Sequence, residues 1–473
     1  MRNRLVTHLF CGAVALVSVI VLPCGPAQAA ETWQVGVARA VITPDEPLHL
    51  AGFAGRVVPA EGTALDLTAK ALAVQDARGQ RLVIVTMDLI SVPSQLRATL
   101  VKTAQEKFQL PPEGLLINCS HTHCGPEMLF GPVMKSELPA ERVQAGERFA
   151  ARLTGQLVDL IGEAIGKLAP GKLSYVHARC GFAMNRRLKS ELPTGDPYLN
   201  RPNSEGVVDH DVPVLKVESA KGELIGLMFG YACHNTTLSI KKYHGDYAGY
   251  TQAFLEKEHP GCVALFVTGC GADQNGYPRD KEKWSELHGQ SLAMAVEAAL
   301  QTPPRTLTPE LKLAYDTVDL AYQEPPTREQ LEKRQASGTG YDPGYEKYQK
   351  EWDRRRLAEY ARDGKLRTAY PCPVQVLRFG PELMMVAVGG ETVVDYSRRI
   401  KLQYGDQAAV WVAGYSNDVF AYLPSRRVLL EGGYESSRAM TYFTNPVHPT
   451  AFAPDVEERV MSLVETLVRK TAP

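Results

Sequence analysis

The sequence predicts an α/β fold in which layered mixed β-sheets are flanked by helices within a single large domain. Apolar runs of strand length alternate with amphipathic helical patterns along most of the 473 residues, which is the pattern typical of this class. The composition is that of an ordinary globular protein, with 44% hydrophobic and 22% charged residues and a formal net charge of -1. This balance argues against a nucleic-acid partner, because nucleic-acid-binding surfaces are strongly basic.

Residues 1–29 have the features of a signal peptide. A basic start at Met1 to Arg4 precedes an apolar run from Leu9 to Leu22, and Ala27-Gln28-Ala29 provides a small-residue cleavage pattern. The apolar run is shorter than the roughly 20 residues that a membrane-spanning helix needs, and no later segment approaches that length. We therefore expect cleavage after Ala29 and export of residues 30–473, to the periplasm or the extracellular space, without a transmembrane segment.

Seven cysteines follow the signal peptide, at spacings that match no zinc-finger or disulfide framework. Export permits disulfides, but several of these cysteines lie in apolar strand-like runs, where cysteine usually acts as a small buried hydrophobe. We expect mostly free thiols at Cys119, Cys124, Cys180, Cys233, Cys262, Cys270 and Cys372.

The first strong elements form a βαβ unit. Arg81 to Met87 is predicted to be a buried strand, Ser94 to Phe108 a helix opened by a serine cap, and Gly114 to Cys119 the next strand. A long amphipathic helix is predicted from about Ala140 to Leu168, because apolar residues recur on one of its faces: Phe149, Leu153, Leu157, Ile161 and Ile165.

Later apolar runs predict the rest of the α/β pattern. A helix is expected from about Tyr250 to Glu258, and a terminal helix from about Pro454 to Lys470. The remaining strands are expected at Leu173–His177, Val214–Val217, Leu224–Tyr231, Cys262–Val267, Val374–Phe379, Leu383–Val388 and Val410–Ala413.

The stretch from Pro303 to Ala369 differs in composition from the rest of the sequence. It is rich in Glu, Lys, Arg and Tyr and is broken by Pro325-Pro326 and Gly338-Thr339-Gly340. It lacks the apolar residues that a core of its own would require. We therefore predict a charged helical excursion or lid within one domain.

Four short segments carry histidine, carboxylate or phenol groups where a predicted strand gives way to a loop. They contain the pair His121 and His123, then His234, Glu391 and Tyr422. Residues two apart on a strand project from one face, and open α/β sheets bind ligands beyond the carboxyl ends of their strands. Imidazole and carboxylate are zinc ligands, and a nearby cation can hold a phenol ionised. Together the segments predict a catalytic metal site.

Each segment has a simpler explanation when it is taken alone. A polar loop explains the histidine pair, and a hydrogen-bonded structural role explains His234. A cap for the helix starting near Thr392 explains Glu391, and ordinary packing explains Tyr422. Only the combination favours a metal site.

Several motifs occur in a fixed order from about residue 35 to the end of the chain. The most specific is Ser120-His121-Thr122-His123-Cys124-Gly125-Pro126. The others are Gly36-Val37-Ala38 through Thr43-Pro44, Asn185-Arg186, Asp209-His210-Asp211, His234, Gly245-Asp246, Gly389-Gly390-Glu391-Thr392 and Gly414-Tyr415-Ser416-Asn417. In content and order they resemble the neutral/alkaline, non-lysosomal ceramidase family, whose catalytic domain would span residues 30–473.

The resemblance implies a zinc-dependent amidase that cleaves the N-acyl bond of ceramide, a lipid-like amide, by metal-activated water. Carried over position by position, the ligands of one zinc ion would be His121, His234, Glu391 and Tyr422. Water bound to zinc becomes acidic enough to supply hydroxide near neutral pH.

The resemblance places further residues around the substrate. His123 would carry a proton to the leaving amine, or would only orient a zinc ligand. Arg186 would stabilise charge on the amide oxygen, or would pair with an acid such as Asp209 or Asp211. Asp246 and Asn275 would contact the substrate.

The chain departs from the family pattern in two segments and at its end. Gly271-Ala272-Asp273-Gln274-Asn275 stands where the family has Gly-Asp-Val-Ser-Pro-Asn, so Asp273 takes the place of a serine. A carboxylate there could act as a general base on water, contact a polar substrate or cap the loop. Asn185-Arg186-Arg187 replaces Asn-Arg-Ser-Pro. The sequence ends at Pro473, before the C-terminal sandwich-like domain of longer members.

Three functions stay open at this point. The first is a zinc amidase acting on ceramide or a related N-acyl lipid, with transient contact to a membrane surface. The second is a metal-dependent hydrolase of the same fold with a different amide or ester substrate, and the third is a secreted, non-catalytic binding protein. An apolar groove leading to the metal would favour the first, because an acyl chain needs such a channel. The oligomeric state is left open.

Overall fold

The fold has four layers, in the order helices, large sheet, smaller sheet and helices. The computed structural model describes residues 32–128, 137–192, 196–342 and 344–472, so the predicted signal peptide lies outside the described residues. Helices cover the outer face of each sheet, and the inner faces of the two sheets pack against each other. This arrangement confirms the predicted α/β class of layered mixed sheets flanked by helices.

The larger sheet has nine strands and mixes parallel with antiparallel pairs. Its strands are β1 (Trp33–Val41), β2 (Thr68–Gln75), β3 (Arg81–Met87), β4 (Leu115–Cys119), β5 (Ala169–Arg179), β8 (Asp211–Ser219), β9 (Leu224–Tyr231), β10 (Val263–Thr268) and β12 (Arg305–Thr306). The order is β10-β9-β8-β5-β1-β2-β3-β4, with β12 beside β5. The pairs β3–β4 and β9–β10 are parallel, and the Thr268 hydroxyl at the end of β10 donates to Cys119 O at 2.7 Å, which brings the carboxyl end of β10, and of its parallel neighbour β9, close to that of β4.

Three smaller sheets contain the other strands of the described residues. The second large layer is formed by β13 (Leu311–Ala321), β14 (Ala369–Phe379), β15 (Leu383–Val388) and β17 (Ala409–Ala413), in that order. A three-stranded sheet contains β6 (Ala183–Lys189), β7 (Tyr198–Asn203) and β11 (Gln274–Gly276), and a parallel pair contains β16 (Glu391–Thr392) and β18 (Tyr422–Leu423). The two smallest sheets lie beside the strand ends that carry the candidate site.

Nine α-helices lie wholly within the described residues. They are α1 (Ser94–Phe108), α2 (Ala140–Gly166), α3 (Asp246–Glu258), α4 (Glu282–Leu300), α5 (Arg328–Ser337), α6 (Glu346–Asp363), α7 (Val394–Tyr404), α8 (Arg426–Glu431) and α9 (Val456–Lys470). The first four contribute buried side chains to the outer face of the large sheet, and α7 and α9 do so for the four-stranded sheet. Within the described part of the chain, no helix has the length and apolarity needed to cross a membrane.

Alternation along the strands explains why the large sheet is buried on both faces. In β3, Val83 and Val85 face the helices α1 and α2, whereas Leu82 and Ile84 face the second sheet. Successive strand residues point to opposite faces, so a strand covered on both sides is a continuous apolar run. This is the pattern from which the strand was predicted.

Most of the predicted elements are confirmed, but the serine cap of α1 is wrong. Strand β3, helix α1 and strand β9 have the predicted bounds, and the parallel pair β3–β4 confirms the βαβ unit. Ser94 is the first helical residue of α1, and Pro93 stands at the N-cap without a side-chain cap. The Asp418 carboxylate accepts a hydrogen bond from the Ser94 backbone instead, so the cap comes from a distant part of the chain.

The segment from Pro303 to Ala369 is only partly helical. Its first part contains β13, which pairs with β14 over the full length of both strands. Charged residues on the solvent side of this edge strand interrupt the alternation of apolar and polar residues. The strand was therefore not predicted from the sequence. The rest forms α5 and α6, whose buried residues are Leu331, Asp353, Arg356 and Glu359. Because only one of these is apolar, the helical pair has no hydrophobic core of its own.

The seven cysteines among the described residues are all buried and unpaired. This agrees with the expectation of mostly free thiols. Burial raises the pKa of the Cys124 and Cys262 thiols to about 12, so these groups stay protonated and behave as small apolar side chains.

Candidate metal centre

The histidines lie in loops at the carboxyl ends of β4 and β9. His121 follows Cys119, the last residue of β4, and takes a left-handed conformation with φ of 59°, which is uncommon for a residue with a side chain. Its backbone N–H donates to Leu89 O. His234 lies beyond Tyr231, the end of β9, and its backbone N–H donates to Gln274 O at 2.8 Å. These bonds anchor the two histidine loops, which are far apart in sequence.

Glu391 and Tyr422 are brought together by backbone pairing. The strands β16 and β18 are parallel, and these two residues are direct register partners. Glu391 is therefore not a helix cap, because α7 begins three residues later at Val394 with Val393 at its N-cap. Both side chains are almost fully buried, at 5% and 6% exposure. The pairing presents a carboxylate and a phenol to the histidine loops.

Four side-chain donor atoms converge at short distances. His121 Nε2 lies 3.1 Å from His234 Nε2, and Glu391 Oε2 lies 3.3 Å and 3.4 Å from these two nitrogens. The Tyr422 hydroxyl oxygen is 3.4 Å from His234 Nε2. The structure thus brings all four predicted metal ligands into one cluster.

The protonation pattern leaves this cluster rich in lone pairs. His121 Nδ1 contacts Ile90 O at 2.6 Å, and His234 Nδ1 contacts Gly271 O at 3.3 Å. A carbonyl oxygen only accepts hydrogen bonds, so a proton on each Nδ1 satisfies both contacts and leaves both Nε2 atoms with exposed lone pairs. Burial, reinforced by the charge of Arg186, lowers the pKa of His234 well below its usual range. Glu391 Oε2 has no hydrogen-bond donor among the described residues.

This geometry fits a zinc ion. Zinc binds imidazole nitrogen and carboxylate oxygen at about 2.0–2.2 Å with tetrahedral geometry, so its ligand atoms lie roughly 3.3 Å apart. The four separations in the cluster, 3.1 to 3.4 Å, have this size. A cation would also provide the partner that the buried carboxylate oxygen lacks. The residues present could therefore hold the ion that the sequence predicts.

His123 completes a group of three imidazoles, in which His121 and His234 are buried and His123 is half-buried. The ring nitrogens of His121, His123 and His234 all lie within 4.8 Å of one another, with His123 Nε2 3.2 Å from His121 Nε2. The His123 ring packs edge-on against Phe53. A Cβ at Gly52 would lie 2.3 Å from this ring, so glycine is required there. Burial and the adjacent cationic groups lower the pKa of His123 well below its usual range, and the ring is neutral.

Arg186 is buried beside the cluster. Its Nη2 donates to the Tyr422 hydroxyl at 3.0 Å, and its Nη1 donates to Asn275 Oδ1 at 3.3 Å. Its Nε donates to Glu435 Oε1 at 2.9 Å. The pairing with Asp209 or Asp211, considered from the sequence, is wrong, because Lys401 pairs with both of those acids. Arg186 therefore supplies a fixed positive charge next to the metal ligands.

Of the two predicted substrate contacts, one lies at the site. Asn275 forms an isolated bridge with His234 and contacts Arg186. Asp246 instead accepts hydrogen bonds from the Leu238 and Tyr247 backbones and from Ser285. No hydrogen bond or ion pair joins it to His121, His123 or His234 in the part of the chain described. Its position supports the loop from His234 to the start of α3.

Asp273 lies near the site, but its side chain is hydrogen-bonded to the N-terminus of a helix. Its Oδ1 accepts a hydrogen bond from Val394 N, the first residue of α7, at 2.9 Å. Its backbone carbonyl accepts a hydrogen bond from Arg186 N at 2.8 Å. Burial raises the pKa of the Asp273 carboxyl to about 7, and its Oδ2 has no partner among the described residues. This placement favours the cap interpretation, with α7 as the capped element.

Three residues around the cluster were not assigned a role from the sequence. The Tyr415 hydroxyl lies 3.2 Å from His234 Nδ1. Asn118 joins β4 to β10 and to the loop at Gly414 through buried hydrogen bonds. Tyr415 belongs to a recognised motif, whereas Asn118 and Glu435 carry no local signal.

The layered α/β fold and the buried histidine and carboxylate groups define a protein that could bind a metal ion at the carboxyl ends of its strands. Residues 33–278 match the family model described as "Neutral/alkaline non-lysosomal ceramidase, N-terminal". The match covers just over half of the chain. The chain belongs to this family.

Curated relatives support this assignment. The neutral ceramidases of Drosophila pseudoobscura pseudoobscura and Drosophila melanogaster are 26% identical over 261 and 249 residues, which are 52% and 50% of this chain. The neutral ceramidase of Pseudomonas aeruginosa is 26% identical over 266 residues, or 54% of this chain. These alignments span 35%, 33% and 39% of the relatives, so the chain matches only about a third of their length.

Solved structures extend the fold similarity beyond the family-model match. The crystal structure of neutral ceramidase from Pseudomonas aeruginosa superposes with a TM-score of 0.68 over 93% of this chain and 74% of that one, at 18% identity. A structure described as "Ceramidase complexed with C2" superposes with a TM-score of 0.64 over 92% of this chain and 76% of that one, also at 18% identity. At this identity the likeness concerns the fold.

Proposed function

We propose that this protein is a zinc-dependent amidohydrolase that cleaves the N-acyl bond of ceramide or of a related N-acyl lipid. Family membership supports the reaction class. The observation that carries the proposal is the convergence of His121, His234, Glu391 and Tyr422, whose donor atoms have the spacing of tetrahedral zinc ligands. A zinc ion bound there would lower the pKa of water towards about 7 and polarise a carbonyl group.

Arg186 would bind the oxygen of the scissile amide. Its guanidinium is already fixed by three hydrogen bonds, to Glu435, Asn275 and Tyr422. A donor that is held in place before the reaction stabilises developing negative charge without a free-energy cost for its own reorganisation. Each nitrogen of the Nη pair still has a second hydrogen available for the substrate.

His123 would move the proton from water to the leaving amine. It is neutral because burial lowers its pKa, so it can accept a proton from water. Once protonated it is a strong acid in this environment, and it would readily pass the proton to the amine nitrogen. Its ring orientation is fixed by Phe53 on one side and His121 on the other.

A second candidate is a hydrolase of the same fold that acts on a different amide or ester. It is favoured by Asp273, which stands where the family has a serine and whose carboxylate is committed to the N-terminus of α7. The contact that a serine hydroxyl would make with a substrate is therefore missing. Loss of that contact would change substrate choice without affecting the proposed zinc ligands.

The deciding experiment measures metal content and fatty-acid release from a fluorescent ceramide by the purified protein, its His234→Ala variant and a control, His259→Ala. His259 is half-buried and pairs with Glu297, away from the cluster. We expect about one zinc per chain and ceramide cleavage in the wild type and in the control. We expect His234→Ala to lose both, because it removes one of four ligands.

Two other outcomes are informative. Zinc bound without ceramide cleavage would favour the second candidate, and a panel of short amides and esters would then identify the substrate class. A wild-type protein that binds no zinc when it is offered the ion would contradict the assignment of the metal site.

A further inference from the structure

Arg186 and Arg187 are neighbours on β6, yet both reach the same carboxylate. Consecutive strand residues normally point to opposite faces. The pairing of β6 with β7 shifts register between Asn185 and Arg187, and such a bulge changes the direction of the side chains it contains. As a result, Glu435 Oε1 accepts from Arg186 Nε at 2.9 Å, and Glu435 Oε2 accepts from Arg187 Nη1 at 2.6 Å.

Glu435 reaches this position through a turn built from two glycines. Gly432 and Gly433 have φ of 75° and 88°, a conformation that residues with side chains rarely adopt. A Cβ at Gly433 would lie 3.3 Å from Tyr198 on β7. The turn therefore holds the segment carrying Glu435 directly against the two arginines.

The resulting charge cluster is buried and strongly paired. Arg186, Arg187 and Glu435 are each 3% exposed. Burial disfavours the charged form of Glu435, but the two guanidinium groups outweigh it and hold the pKa of this carboxyl below its usual range. Arg187 has a second partner, Glu431, at 3.1 Å. Without Glu435, Arg186 would have no carboxylate partner and would face the like charge of Arg187.

We propose that Glu435 is the positioning residue for Arg186, and that it holds the Nη edge of the guanidinium towards Tyr422 and the substrate oxygen. This inference rests on the proposed function and assigns a role to a residue outside the family motifs. Two contacts of Arg186, to Asn275 and Tyr422, belong to the site, and the third, to Glu435, sets the rotation of the guanidinium plane.

The test compares Glu435→Gln with Glu431→Gln in the zinc-loaded protein. Glutamine has the size of glutamate but carries no charge. Its amide has a single acceptor oxygen, so it cannot form charged pairs with both arginines. Glu431 contacts Arg187 and not Arg186, so it is the matched control. We expect Glu435→Gln to lower kcat by about 10- to 100-fold with a smaller change in KM, the range associated with a misplaced catalytic group, and we expect Glu431→Gln to behave like the wild type.

A binding measurement tests the role of Glu435 independently of which substrate the protein cleaves. Methylphosphonate carries a tetrahedral oxyanion, and its affinity can be measured by calorimetry whether or not ceramide is cleaved. We expect Glu435→Gln to weaken its binding about 10-fold while zinc content stays at that of the wild type. Weakened binding in a protein whose wild type does not cleave ceramide would reject the proposed substrate and support the role of Glu435.

A double-mutant cycle with Arg186→Met distinguishes positioning from general stabilisation. If Glu435 acts through Arg186, Glu435→Gln will have little further effect on methylphosphonate binding once Arg186 is removed, because residues that act as a unit are not additive. Independent, additive effects would overturn the proposal. So would a Glu435→Gln variant with wild-type kcat and wild-type methylphosphonate affinity.

Discussion

Two positions at the candidate metal centre show how the groups that a buried side chain faces, more than local sequence, decide what the residue does. Glu391 and Asp273 are both buried carboxylates near the carboxyl ends of strands. Glu391 Oε2 faces two imidazole nitrogens, whereas Asp273 Oδ1 faces the N-terminus of α7. A cation would stabilise the charged form of the first. The second gains one backbone hydrogen bond, and burial keeps its proton bound up to about pH 7.

The raised pKa of Asp273 predicts a pH-dependent stability. Below about pH 4 the carboxyl is protonated in the folded and unfolded states, and the contribution of Asp273 to the free energy of unfolding is highest. Between about pH 4 and 7 only the unfolded state releases the proton, so the free energy of unfolding falls as pH rises. Asp273→Asn should make the decline between pH 5 and pH 8 smaller by roughly 2 kcal/mol, at about 1.4 kcal/mol per pKa unit.

Urea denaturation at the two pH values measures this difference. Asp406→Asn is the control, because Asp406 is a carboxylate that is exposed to solvent. It should show the same decline as the wild type. An equal decline in Asp273→Asn and the wild type would mean that Asp273 is ionised in the folded protein at neutral pH.

At the scale of single residues, the sequence predicted well which four side chains converge in the cluster, and it predicted their surroundings poorly. His121, His234, Glu391 and Tyr422 were found because motifs and strand ends mark them. Glu435 could not be found, because its role depends on a bulge in a strand about 250 residues away. The direction of the Asp273 side chain depends in the same way on the start of α7.

Secondary-structure elements were predictable where burial is uniform. Strands β3, β9 and β15 are buried along nearly their whole length, and their apolar runs mark their bounds directly. Edge strand β13 was missed because solvent covers part of it and charged residues interrupt its alternation. Sheet partners were not predictable, since pairing joins strands distant in sequence.

The helical pair α5 and α6 is predicted to be separable from the rest of the fold. The chain leaves and returns at adjacent points, since Tyr322 N donates to Thr368 O at 3.0 Å. The pair buries few apolar side chains, and its contacts include Trp352 Nε1 to His448 O. Replacing residues 326–365 with a short Gly-Ser linker should leave β13 paired with β14.

Thermal and urea denaturation of the shortened chain test this prediction. We expect one cooperative transition with a reduced free energy of unfolding, because hydrogen bonds to the segment around His448 are lost. Loss of cooperativity, or of the near-ultraviolet circular dichroism signal, would show that the two helices belong to the core.

The candidate metal centre lies where the two halves of the molecule meet. His121 and His234 lie in loops of the large sheet, whereas Glu391 and Tyr422 follow strands of the four-stranded sheet. An ion bound by both pairs would cross-link the layers, and a ligand that binds only the folded state stabilises it by mass action.

Removal of zinc should therefore lower the thermal stability of the whole protein. We expect chelation to reduce the Tm by several degrees, and added zinc to restore it. In His234→Ala, chelation should have almost no effect, while His259→Ala should respond like the wild type. Differential scanning calorimetry measures the change, and an unchanged wild-type Tm after verified metal removal would contradict the cross-link.

The parallel pairing of Glu391 with Tyr422 also affects the order of events during folding. Tyr422 is 188 residues from His234 in the chain, and contacts between such distant segments form late because loop closure must precede them. A complete set of four ligands cannot exist until both sheets have docked. Partly folded chains then offer an ion only fragments of the site, so tight metal capture marks the end of folding and does not guide its first steps.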